Sequence, residues 1–191
     1  MNKYKLSKKR KDGLRRIIAL RDIPSTGVEK GDLGGLLKKY HNLSQKGDCW
    51  IYRHARVFGY AQVFEHAQVY EQAWVYGHAR VHGQAQVFED ARVHGYARVY
   101  GHARVYGGSW TCTPLQIIGG KFTVQVSSPT EISIGCQTRT VGWWRNEENW
   151  AEMVEDESIT NEEVEELRDA FEYVAKRMRT ATVNQPKENE K

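Results

Sequence analysis

From Ala55 to about Gly108, small apolar and polar positions alternate in a fixed six-residue cycle, and Ala-x-Val recurs nine times without a break. The alanines run from Ala55 to Ala103 and the valines from Val57 to Val105, each Val two residues after its Ala. Side chains along a strand point to opposite faces in turn, so Ala and Val share one face of a short strand. The residue between them faces outward and is Arg, Gln or Trp in every repeat. Gly or Glu stands two residues after each Val. Gly59, Gly77, Gly83, Gly95, Gly101 and Gly107 supply the permissive backbone that a sharp corner needs. An amphipathic helix fails on this pattern, because apolar steps of two and four match no helical face and Val with Gly is poor helix material.

A strict hexad of strand and corner predicts a mainly β fold, a three-sided parallel β-helix. Three hexads make one coil, so residues eighteen apart stack at roughly 4.8 Å, the interstrand spacing. The register extends backward, with Cys49 and Ile51 in the Ala and Val positions and Leu43 one step earlier. Ahead of it, 4–6 and 14–20 read as short strands and 23–35 as a turn-rich stretch. The expected divisions are an N-terminal strand cap at 1–35, the repeat at 36–112, an irregular β cap at 113–140, an α-helical appendage at 141–180 and a disordered tail at 181–191. A solenoid needs atypical end segments to cover its open core. The appendage reads as two helices, one at 143–155 and one at 161–179. Thr160 is the N-cap of the second, Glu163 completes a capping box, and Val164, Leu167, Phe171, Val174, Ala175 and Met178 form its apolar stripe.

Composition changes this picture little. The 191 residues carry a net charge of +4, but the first forty are basic and those after Val141 acidic. The basic end could meet nucleic acid; solvated ends, or ends that complement one another between subunits, are the simpler reading. No apolar run approaches the ~20 residues of a membrane span. The basic start lacks the apolar stretch of a secretion signal, so a cytoplasmic location is expected. Cys49, Cys112 and Cys136 are odd in number and lack CxxC spacing, which argues against a disulfide framework or a zinc ribbon. No metal and no cofactor are expected.

Candidate chemistry lies on the outward face. One column, read every eighteen residues, is Arg56, Trp74, Arg92 and, if the register persists, Trp110. Guanidinium and indole alternating at stacking distance favour cation–π contact. Such a strip could take up a base or a sugar beside phosphate-binding arginines; a self-stacking ladder or a buried subunit contact is the plainer alternative. A second column carries Gln62, Arg80 and Arg98, and a third Gln68, Gln86 and Arg104. The residue after each Val is aromatic or His throughout, with Tyr70, Tyr76, Phe88, Tyr100 and Tyr106 among them. So many half-exposed rings exceed what a monomeric prism carries, and their burial in a homo-oligomer is expected.

LRRIIALRD (14–22), KGDLGG (30–35) and NLSQKGDCWIY (42–52) precede the repeats, and TPLQIIGG (113–120) and IGCQT (134–138) follow them. In these segments the chain resembles the YdcK-like hexapeptide-repeat proteins of bacteria and phages, which are often labelled transferases. The resemblance implies left-handed winding, trimeric assembly and a bacterial or phage-infected host cell. It implies little about activity, because fold does not imply function. Hexapeptide acyltransferases use a His as general base between subunits, and His78, His82 and His94 are the candidates for that role here. Such enzymes usually eject a loop from a coil, and 55–108 contains no insertion. The expectation is therefore a non-catalytic oligomeric binding protein. It would act on host machinery or defence by capturing a nucleotide-type signal, a small anionic ligand or a host factor. Acyl transfer from acyl-CoA to a sugar or amine is the alternative, and a structural assembly protein a third. Nucleic acid is a weaker candidate partner, and a membrane is not one.

Overall fold

Each Ala-x-Val hexad supplies one short strand, and the strands meet their counterparts one coil away. The computed structural model describes residues 2–118, 120–151 and 159–183 and falls into two compact units, Met1–Pro114 and Leu115–Lys191. The first unit opens with β1 (Tyr4–Leu6), β2 (Arg15–Ala19), β3 (Leu33–Leu37) and β4 (Trp50–Ile51). The repeat strands follow as β5 (Arg56–Val57), β6 (Gln62–Val63), β7 (Gln68–Val69), β8 (Trp74–Val75), β9 (Arg80–Val81) and β10 (Gln86–Phe88). They continue as β11 (Arg92–Val93), β12 (Arg98–Val99) and β13 (Arg104–Tyr106), and β14 (Ser109–Trp110) closes the series.

Three sheets result. One runs β1-β2-β3-β5-β8-β11-β14, the second β4-β7-β10-β13 and the third β6-β9-β12. Pairing among the repeat strands is parallel and in register at eighteen residues: Arg56 lies beside Trp74, Gln62 beside Arg80 and Gln68 beside Gln86. The result is a β-solenoid of about four turns, joined at its N-terminal side to an antiparallel region of β1, β2 and β3. All nine alanines and all nine valines of the repeat are at most 1% exposed. The narrow Ala-and-Val interior follows directly from the hexad, because the remaining four positions of each face outward or turn a corner.

The corners hold a left-handed backbone at Gly and at Glu alike. Glu65, Glu71 and Glu89 have φ of 60°, 55° and 53°. That conformation is costly for a residue with a side chain, and a specific bond offsets part of the cost. The Glu65 carboxylate accepts the Gly83 N–H at 2.7 Å, and the Glu71 carboxylate accepts the Glu89 N–H at 2.6 Å. Glu65 and Glu71 thus satisfy the corner amide one coil further on.

Three register details depart from the hexad. Leu43 bridges Val63, so it fills a Val position rather than the expected Ala position, and the step from Leu43 to Ile51 holds eight residues instead of six. The stretch read as turns, 23–35, already contains the start of β3. Gly34 and Gly35 pass so close to Ile17 and Ile51 that a Cβ on either would fall 2.4 Å from a neighbouring side chain. Close approach, not turning, is what these glycines provide. Finally, Val93 pairs with Trp110, seventeen residues on rather than eighteen. Trp110 therefore turns inward, 9% exposed, with its indole N–H donating to the Gly107 carbonyl at 2.8 Å. Its expected place in the outward column is corrected: Ser109 holds that rung beside Arg92.

At the other end of the core, Lys3 is fully buried, with Nζ donating to the Cys49 carbonyl at 2.8 Å and lying 3.1 Å from Cys49 Sγ. Burial pulls the Lys3 ammonium below its ordinary range and pushes the Cys49 thiol up.

The second unit holds an antiparallel sheet in the order β15 (Gln116–Ile117), β16 (Val124–Val126), β17 (Glu131–Ile134) and β18 (Gln137–Thr140). These strands pair regularly, where irregular strands were expected. The single helix expected at 143–155 is broken: α1 spans Val141–Trp144, and a new helical stretch begins at 147. Asn146 causes the break, because its side chain accepts the Glu148 N–H at 3.1 Å in the manner of an N-cap. The remainder of that expected helix, from 152 on, lies outside the described residues. α2 spans Asn161–Val183 and carries the predicted capping box, with Glu163 N–H donating to Thr160 Oγ1 at 3.2 Å and Thr160 N–H to the Glu163 carboxylate at 2.8 Å. Its whole predicted stripe is buried, and Phe171 meets Trp144 and Trp150. Of the tail expected at 181–191, the first three residues are helical and the rest lies outside the described residues.

Candidate functional site

Stacking the coils turns every outward position into a column. In the first, the guanidinium carbons of Arg56 and Arg92 lie 5.1 and 5.5 Å from the centre of the Trp74 ring. They approach from the coils before and after it, so the indole is sandwiched within the chain. In the third, Arg104 sits over Phe88 at 5.5 Å, while Gln86 accepts a bond from the Tyr70 hydroxyl at 3.3 Å. In the second column Gln62 is followed by Arg80 and Arg98, exposed as Arg92 and Arg104 are.

Rings after each Val form ladders of their own. Phe58, Tyr76 and His94 stack at 5.1 and 4.7 Å, and Phe64, His82 and Tyr100 at 4.7 and 5.7 Å. Tyr70, Phe88 and Tyr106 stack at 5.1 and 5.0 Å. Tyr70, Tyr76, Phe88, Tyr100 and Tyr106, the rings assigned to an oligomer, each stack on another ring within the chain.

A fourth ladder was not recognised in the sequence. His41, Tyr60, His78 and Tyr96 stack at 6.3, 5.0 and 5.0 Å with interplanar angles of 12° or less. Unlike the others it stands out from the surface, with Tyr60 64% and Tyr96 78% exposed. It occupies the residue after the corner, whose identity varies along the hexads, and only every third hexad contributes to this column. An eighteen-residue count from Tyr60 was the signal that could have found it. Together with Lys39, Gln62, Arg80 and Arg98 these rings line a groove of about 530 Å³. One wall is aromatic, and Arg80 and Arg98 stand along the other. The Lys39 ammonium also lies 5.7 Å from the centre of the Tyr60 ring.

The histidines singled out as candidate bases take different places. His78 is a rung of the groove between Tyr60 and Tyr96. His82 stacks between Phe64 and Tyr100 with Nδ1 3.7 Å from the Glu65 carboxylate. His94 Nε2 lies 2.8 Å from Ser109 Oγ. The three belong to separate ladders and do not converge on one point. Among the described residues no group of three His, Cys, Asp or Glu is placed to hold a metal ion, and no helix is long and apolar enough to cross a membrane.

Parallel coils around an Ala-and-Val interior, with the candidate residues on outward columns, define the class: a β-solenoid scaffold with a lateral groove. The repeat is of a particular kind. A family model described as the YdcK β-solenoid repeat matches residues 97–112, the last hexads before and including Trp110. The resemblance to the YdcK-like proteins is thus shown over this short stretch of repeat, in a chain whose fold is a β-solenoid. The comparison with curated proteins found no match.

Proposed function

We propose that this chain is a non-catalytic binding protein whose groove takes an anionic, nucleotide-type ligand. The observation that carries the reading is the pairing of an exposed aromatic ladder with the column of Arg80 and Arg98 along one groove. Guanidinium groups make strong, often bidentate bonds to phosphate, and rings beside them favour a base over a plain inorganic anion. The Arg56, Trp74 and Arg92 column, whose indole is already sandwiched, serves as a structural ladder in this reading. Left-handed winding and a homotrimer, as in other hexapeptide-repeat proteins, belong to the same proposal. So does a setting in the cytoplasm of a bacterium or phage-infected cell, where capture of a nucleotide signal or host factor would blunt a host response.

Titration of the protein with ATP by calorimetry tests the site. Saturable binding that weakens at least tenfold in the Arg80→Ala, Arg98→Ala double variant is expected. The same substitutions at Arg56 and Arg92 are expected to leave it within twofold. Absence of saturable binding, or equal loss from either pair, would sink the proposal.

A further inference from the structure

Small-molecule sites wrap their ligands, burying most of the ligand surface. This groove does not wrap. Its rings at Tyr60 and Tyr96 stand 64% and 78% exposed, and it runs straight along the solenoid axis with the same kind of rung in each coil. From His41 to Tyr96 the ladder spans three coil steps, roughly 14 Å. A straight, open, periodic trough fits an extended polymer better than a compact molecule.

Charge selects the polymer. Residues 1–114 hold 19 Lys and Arg against 9 Asp and Glu, whereas residues 115–191 hold 9 against 15. The unit that carries the groove is therefore strongly basic, and the chain's modest net charge conceals it. The ladder also ends in an unfilled step. Tyr96 is its last ring, since at the matching place in the next turn the chain carries Cys112 and Thr113, neither of them aromatic. Thr113 Oγ1 accepts the Arg98 N–H at 3.1 Å there, in place of a backbone carbonyl. An unpaired base stacking on Tyr96 would supply the next rung, with Arg98 beside it for the adjoining phosphate. Sequence-tolerant binding of single strands works in this way, through stacking on aromatic side chains within a positively charged groove.

We infer that the groove formed by Tyr60, His78 and Tyr96 with Arg80 and Arg98 binds single-stranded nucleic acid. The inference rests on the nucleotide reading of the same groove and extends it from a mononucleotide to a strand. Duplex is disfavoured, because its bases are already paired and stacked and leave no face for Tyr96.

Fluorescence anisotropy with labelled oligothymidylates of four, eight and twelve nucleotides, at two salt concentrations and with ATP as competitor, provides the test. Affinity should rise with length until the groove is filled and should exceed that of ATP. Tyr96→Ala should weaken binding about 5- to 160-fold. Arg80→Ala with Arg98→Ala should lower the slope of log affinity on log salt by about 1.4, two phosphate contacts on a single strand. All three side chains are exposed, and the length and competition series on the unaltered protein needs no variant. ATP competing as well as the oligonucleotides would overturn the strand and leave the nucleotide site standing. Arg92→Ala weakening binding as much as Arg98→Ala would mean diffuse attraction to a basic surface and would overturn the groove. Binding of neither probe would remove both readings.

Discussion

Gly83 and Gly107 both turn a corner in the left-handed conformation, at φ of +70° and +56°, yet meet different surroundings. A Cβ at Gly83 would lie 2.8 Å from the Gly101 backbone nitrogen, whereas one at Gly107 has nothing within 4 Å. Gly107→Ala should therefore cost only the backbone strain, about 1–2 kcal/mol. Gly83→Ala should cost more, because two coils must separate to admit the methyl group. Thermal unfolding of the two variants checks this, at roughly 2–4 °C per kcal/mol for a chain of this size. Equal shifts would show that the coils do not constrain one another at that corner. At this scale the sequence was legible where residue type and backbone demand coincide, as at the glycines. It was not legible at Glu65, Glu71 and Glu89, where an unfavourable conformation is supported by a bond from a residue eighteen positions away.

Among the elements, α2 was readable because its signals are local. A cap, a box partner three residues later and a stripe at helical spacing all sit within one segment. Thr160→Ala removes the acceptor for the Glu163 N–H and should destabilise the second unit by about 1 kcal/mol. The loss should show as a lower melting temperature for the helical signal at 222 nm, and an unchanged transition would mean the cap contributes nothing. The break ahead of it was missed because Asn146 is unremarkable as a letter and becomes a stop only when its side chain turns onto the Glu148 amide. Trp110 was misplaced for a related reason. Counting forward by eighteen assumes full hexads, and the final step is one residue short. The shortfall sends a large ring inward over the last Ala-and-Val layer, and Ser109 takes the surface.

For the whole molecule, division into Met1–Pro114 and Leu115–Lys191 makes a direct prediction. Each unit has its own hydrophobic core, so a chain ending at Pro114 should fold alone. It should show a cooperative thermal transition with β-type circular dichroism, and it should retain the binding assigned to the groove. Loss of a cooperative transition in that chain would mean the solenoid depends on the second unit. Handedness and assembly lie at the same scale, and small-angle scattering that gave a monomer would count against the trimer.

The amino-acid order by itself determined the strand, the corner and the interior, since a hexad of Ala-x-Val with Gly or Glu after it has one economical solution. It also determined α2 and its buried stripe. What only the tertiary structure decided is which surface residues become neighbours. Closing each turn in space brings Tyr60 to His78 and His78 to Tyr96 at 5.0 Å, and sets Arg80 and Arg98 along the same groove. Those residues are eighteen apart in the chain and share no local pattern, because the hexad constrains the residues that fill the interior and leaves the outward ones free to vary. The candidate site is built from the positions on which the repeat imposes least.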